Sequence, residues 1–97
     1  MPTYIALLKW TQQGIQNVKQ SPSRLEAVRK LFAAAGAKLK DFYMVTGRYD
    51  IIAILEAPDD LALAKAILSA TSQGNITSET CRAFNEEEYR KIVGGLA

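Results

Sequence analysis

Along Thr3 to Trp10, apolar side chains occupy both alternating sets of positions. Tyr4, Ala6, Leu8 and Trp10 fall on one side of an extended chain, and Ile5 and Leu7, with Lys9, on the other. A strand apolar on both sides has to be covered on both sides. Thr11 to Gln20 is polar apart from Ile15 and Val18 and reads as a short turn of helix or an ordered loop. Ser21-Pro22-Ser23-Arg24-Leu25-Glu26 then carries two helix-start signals. Ser21 caps with Pro22 at the first helical position, or Ser23 caps with Glu26 closing a capping box. Leu25, Val28, Leu31, Phe32 and Ala35 share one helical stripe, and Gly36 is the stop.

Lys38 to Thr46 predicts a second strand and Asp50 to Ala57 a third, with Ile51, Ile52, Ile54 and Leu55 again apolar on both faces. The short link between them makes an antiparallel hairpin. Pro58 ends the third strand, and Asp59 or Asp60 caps a helix to about Ser72, with Leu61, Leu63, Ala64, Ile67 and Leu68 as its buried face. Gly74-Asn75 turns the chain into a fourth strand, Ile76 to Phe84. Asn85 with Glu88 forms a capping box for a short final helix carrying Tyr89, Ile92 and Val93.

The order is β-α-β-β-α-β with a terminal helix: an α+β, ferredoxin-like arrangement with a four-stranded antiparallel sheet, read as one domain over residues 1–97. Right-handed crossovers put both long helices on one face of that sheet. The other face of the central first and third strands is then a bare apolar patch of several hundred square ångströms, on the order of those that mark interfaces. A second copy of the chain, sheet against sheet, covers it most simply, which predicts a homodimer.

Composition narrows the chemistry. Histidine is absent, which removes histidine-based acid–base and nucleophile systems and the usual zinc and iron ligand sets. Neither a metal nor a cofactor is expected. Lys and Arg number 12 against 10 acidic residues, with no run of basic charge, so neither a nucleic-acid footprint nor a polybasic membrane patch is predicted. No apolar run approaches the roughly 20 residues that span a bilayer. The opening residues have no basic leader, and the lone Cys81 fits a reducing cytoplasm. Mid-strand and with no activating partner in sequence, Cys81 reads as a small buried hydrophobe.

The most pointed motif is Gly47-Arg48-Tyr49-Asp50. As a binding feature, Gly47 admits close backbone approach while Arg48 and Tyr49 present charge and a hydroxyl to a carboxylate ligand. As a turn, Gly47 takes a positive φ, Tyr49 packs on a strand and Asp50 bonds local amides. Tyr4, Trp10, Phe42, Tyr43 and Phe84 line a flat aromatic cavity between sheet and helices, or serve as core and interface packing. Lys9 and Arg82 lie in otherwise apolar strands, as anion anchors in a cleft or as side chains snorkelling to the sheet edge. The candidate ligand-binding set is therefore Tyr4, Lys9, Trp10, Tyr43, Gly47, Arg48, Tyr49, Asp50 and Arg82.

The run Gly47-Arg48-Tyr49-Asp50-Ile51-Ile52-Ala53-Ile54-Leu55-Glu56-Ala57-Pro58-Asp59-Asp60 resembles the signature of the GYD-domain family. Leu8-Lys9-Trp10-Thr11 with Gly14-Ile15, Phe42-Tyr43 and Arg82-Ala83-Phe84 resemble it too. The resemblance implies a small bacterial protein of the dimeric α+β barrel type and carries no particular reaction. The turn is also similar to one in the effector-binding domains of Lrp/AsnC-type regulators, where amino-acid effectors bind nearby; no helix-turn-helix accompanies it here. The expectation is a cytoplasmic homodimer that senses or carries a small organic or amino acid ligand near the 47–50 turn. A cofactor-free isomerase or monooxygenase is the alternative by fold analogy, and a protein-interaction module without ligand is a third.

Overall fold

A computed structural model describes all of Met1–Ala97. The strands are β1 (Thr3–Trp10), β2 (Lys38–Met44), β3 (Ile51–Glu56) and β4 (Ile76–Ala83). The helices are α1 (Gln12–Gln16), α2 (Ser21–Ala34), α3 (Asp60–Thr71) and α4 (Glu86–Gly94), with a 3-10 turn at Val18–Gln20 leading into α2. All pairings are antiparallel and the sheet order is β2-β3-β1-β4, so the two strands apolar on both sides are the central ones.

The side-chain period of two does the rest. In β1, Tyr4, Ala6 and Leu8 are buried beneath the helices, as are Ile51, Ala53 and Leu55 in β3. Their neighbours Ile5, Leu7, Ile52 and Ile54 face the other way and remain half-covered. The register sets Ala6 opposite Ala53 and Ile5 opposite Ile54. A register shift between Leu39 and Asp41 inserts one extra residue into β2. That bulge lets Leu39 and Phe42, an odd number of positions apart, both turn toward the helices, where Leu39 is buried and Phe42 packs on the core. On that face α2 packs beside β2 and α3 beside β4, with the helices touching each other.

Several local expectations need correction. Neither Ser21 nor Ser23 caps α2; its N-cap is Gln20, which makes no side-chain cap bond, because the 3-10 turn feeds straight into the helix. On α3 the buried residues are Leu63, Ala66 and Ala70, while Leu61 and Leu68 are each 67% exposed and Ala64 is exposed. The sheet beneath α3 lets Ala66 and Ala70 approach beside Leu63 and leaves Leu61 and Leu68 turned outward. Cys81 is exposed rather than buried, since it falls on the same face as Ile5, its register partner. The other caps match: Asp59 accepts from Ala62 N–H at 2.8 Å, and Asn85 and Glu88 form a reciprocal capping box.

The polar stretch after β1 is α1, stapled to the α3–β4 loop. Thr11 N–H donates to Asn75 O at 3.0 Å, the Thr11 hydroxyl donates to Gly74 O at 2.6 Å, and Gln13 Nε2 donates to Gln73 O at 3.1 Å. Gly14 is buried in this contact, and a Cβ there would collide with the Asn75 carbonyl. Gly14→Ala is therefore expected to destabilise the protein by about 1–3 kcal/mol, as overpacking against backbone does. Urea melts of the two proteins measure this; an unchanged midpoint would mean that α1 is not anchored there.

Candidate functional site

The loop from Val45 to Asp50 positions the Gly-Arg-Tyr-Asp motif. Val45 N–H donates to Asp50 O at 2.9 Å and closes it, which ends β2 at Met44 rather than Thr46. Gly47 sits at φ +126°, the left-handed region a side chain disfavours, with open space around it. Arg48 is exposed. Asp50 extends the β1–β3 ladder by one step: its N–H donates to Leu8 O at 2.9 Å, and its Oδ2 accepts from Trp10 N–H at 3.0 Å. The amide it satisfies lies across the sheet, on β1. Tyr49 reaches over β1, and its hydroxyl donates to Glu79 Oε2 on β4 at 3.0 Å. Lys9 Nζ lies 5.6 Å from the Tyr49 ring centre, within cation–π range.

The candidate residues thus divide between two faces. Lys9, Tyr49 and Tyr43 stand on the open side of the sheet with Ile5, Leu7, Ile52 and Ile54; Tyr43 is 58% exposed. Tyr4, Trp10 and Arg82 stand on the helix side, in two separate places. Trp10 borders an apolar cavity of about 360 Å³ between α2, α3 and the sheet, which Phe42 also lines. Tyr4, Tyr43 and Phe84 do not line it, so of the two readings the sequence left open, one shared aromatic cavity is not formed. Tyr4 and Arg82 instead border a second cleft of about 340 Å³ with Asp60 and Thr80.

In that second cleft the Tyr4 hydroxyl donates to Asp60 Oδ1 at 2.5 Å. Arg82 is committed to its surroundings. It donates to Thr3 O at 3.3 Å, to Ala83 O and to Glu88 Oε2 at 3.4 Å, and its guanidinium lies 4.4 Å from the Phe84 ring centre. Arg82 thereby ties α4 to the end of β4 rather than standing free as an anion anchor. Sequence reading missed Asp60 and Glu79, because nothing local marks a helix-start acid or a strand acid as a tyrosine's partner fifty-six or thirty residues away.

The charges move three groups. The hydrogen bond to Asp60, with burial, holds the Tyr4 phenol above its ordinary range, and the bond to Glu79 does the same for Tyr49. The Asn85 backbone N–H, with Arg82 adding to it, holds the Glu88 carboxyl below its ordinary range. Near neutral pH both phenols are hydrogen-bond donors rather than bases.

The GYD domain profile matches residues 4–93, and the chain belongs to that family. It is 32% identical over 85 residues, covering 87% of this chain and 90% of the relative, to the glutamine synthetase and cystathionine beta-lyase binding protein of Thermus thermophilus. Among solved structures it resembles a feast or famine regulatory protein from M. tuberculosis complexed with L-methionine. That match has TM-score 0.66 and 13% identity over 88% of this chain, which spans about half of the regulator, 51%. A further Thermus thermophilus structure superposes with TM-score 0.56 and 23% identity, covering 88% of this chain and 95% of the other. These structures share the ferredoxin-like fold.

Asp50→Ala is expected to lose about 1–2 kcal/mol of stability by stranding the Trp10 amide, and Asp50→Asn, which keeps an acceptor, to lose less. Equal losses in urea melts would remove the ladder role. Stability should also depend on pH at both ends. The native state holds the two phenolic protons more tightly than the unfolded chain, so that contribution is complete below the unfolded tyrosine value and fades as pH rises through the raised native values. Glu88 works in reverse: its contribution is present above the unfolded carboxylate value and is lost as pH falls through the lowered native one. Tyr4→Phe with Tyr49→Phe should flatten the alkaline limb of denaturation midpoint against pH, and Glu88→Gln the acid limb.

Proposed function

We propose that residues 1–97 act as one homodimeric binding module of the cytoplasm, its two sheets stacked open face to open face, and that it docks on a metabolic enzyme. The carrying observation is the sheet's second face. Ile5, Leu7, Ile52 and Ile54 form a continuous apolar strip across both central strands, and Tyr49 lies over its edge. Isologous stacking of that face gives the sheet-on-sheet packing in which such side chains interdigitate. The relative named for binding glutamine synthetase and cystathionine beta-lyase matches nearly end to end, which supports an enzyme of that kind as the partner. α4 offers a surface for it outside the sheet: Tyr89, Ile92 and Val93 are exposed, and the helix buries none of its side chains.

The small-molecule reading keeps one specific observation, the cavity between helices and sheet; the 47–50 turn does not border it. An isomerase or monooxygenase role finds less support. In the Tyr4–Asp60–Arg82 cleft the phenol is held protonated and the guanidinium is engaged with backbone and Glu88.

Light scattering at micromolar chain concentration is expected to give the mass of two chains. Ile54→Lys, which places an unpaired charge in the stacked faces, should weaken association by about tenfold or more. A monomeric wild type would overturn the stacking. In titration calorimetry against purified glutamine synthetase and cystathionine beta-lyase, the wild type should bind at least one of them and Ile92→Glu should bind more weakly while remaining dimeric. Binding to neither enzyme would overturn the docking assignment.

A further inference from the structure

The apolar cavity is built by small residues. Ala6 and Ala53, register partners at the centre of the sheet, form its floor, and Ala70 of α3 and Ala27 of α2 line it from above. Larger neighbours such as Leu55 and Phe32 stand around this floor and leave about 360 Å³ open, within the range of small-molecule sites. At a liquid-like share of about 30 Å³ each, that space holds roughly a dozen non-hydrogen atoms. Its lining is mostly hydrophobic, and the ionisable side chains on it are Arg24 and Lys30, both cationic, with no carboxylate among them. Arg24 donates to Gly14 O and Asn17 O, which holds it at the border between α2 and α1. Lys30 takes part in no ion pair.

We propose that this cavity binds a medium-chain aliphatic carboxylate, its tail over the Ala6–Ala53 floor and its head at Lys30, the border cation that no carboxylate holds. The apolar lining selects the tail by burial. The charge asymmetry selects an anionic head over a cationic or neutral one. This inference stands on the cavity alone and does not depend on the dimer or on the enzyme partner.

The test is titration calorimetry of the full chain with sodium decanoate below its micelle concentration, beside decylamine and the variants Ala53→Leu, Ala70→Val and Lys30→Gln. Decanoate is expected to saturate at one per chain and decylamine to bind more weakly. Ala53→Leu fills the floor and should abolish binding without lowering the melting temperature; if it misfolds, Ala70→Val narrows the same space and should weaken binding. Lys30→Gln should weaken decanoate by about threefold, as a partly exposed ion pair does, and leave decylamine no weaker. No saturable heat, equal binding of decanoate and decylamine, or undiminished binding in a folded Ala53→Leu would each overturn the proposal. So would affinity that falls as chain concentration rises, because the cavity would then be filled by a second copy. Failure of this experiment would leave the light-scattering test of the dimer untouched.

Discussion

The pairing of β1 with β3 is the constraint from which the architecture follows. Both strands are apolar at every position from Tyr4 to Leu8 and from Ile51 to Leu55. Their antiparallel register therefore makes a central ribbon that shuns water on either side. A chain of this size has helices enough for one side only, and α2 and α3 take it. Everything else is arranged around the face that remains. The flanking strands carry polar residues there, Asp41 on β2 and Thr77 and Glu79 on β4, so the uncovered patch is a strip along the centre rather than a whole greasy sheet.

The Gly-Arg-Tyr-Asp turn belongs to that strip more than to any pocket. Asp50 carries the central pairing one residue past the last strand position by accepting from the Trp10 amide. Tyr49 then lies over the strip's end, bridging from the β2–β3 loop to Glu79, with Lys9 against its ring. Gly47 makes the loop possible through its left-handed backbone. A motif that looks like a ligand clamp in one dimension is thus, in three, a strap across the open face and a splice in the ladder. Arg48 alone is left without a structural task.

Much of the fold was legible because its signals are periodic or stereochemical. β1 was bounded correctly by its apolar run, Asp59 and Asn85–Glu88 by the few residue types that cap a helix, and the strand order by the hairpin and crossover rules. Alternation alone sorted the β1 residues into two sets, while which set lies under the helices waited on the register. What failed was information carried between elements. Ser21 has the chemistry of a cap, but the preceding 3-10 turn already supplies helical geometry at that point. Leu63 is core as its pattern suggests, but Leu61 and Leu68 look like core too until the small Ala66–Ala70 edge proves to fit the sheet more closely. Asp60 and Glu79 became site residues only through contacts made by tyrosines far away in sequence. In the pattern of apolar positions alanine counts the same as leucine, so a cavity between helices and sheet leaves no trace in it.

Alanine at the centre of the interior carries a cost in stability. Filling a core with larger aliphatic side chains stabilises a domain by about 0.8 kcal/mol for each buried CH₂. Here only 14 of 97 residues of the single chain are buried, and six of those are alanines, so few large aliphatic side chains are fully buried. Yet Ala6 and Ala53 meet at the middle of the floor, where a leucine pair would add the most burial. The bulge in β2 brings large residues inward at the cavity's side, Leu39 and Phe42, while the regular β1–β3 pairing keeps alanines at its centre. A small centre ringed by large residues is a shape that leaves room, and its stability cost is hard to account for by folding alone. An occupant that binds the folded state returns that stability in proportion to its concentration. On this fold, the small centre and the unpaired Lys30 at its border are the two features on which the proposed carboxylate site rests.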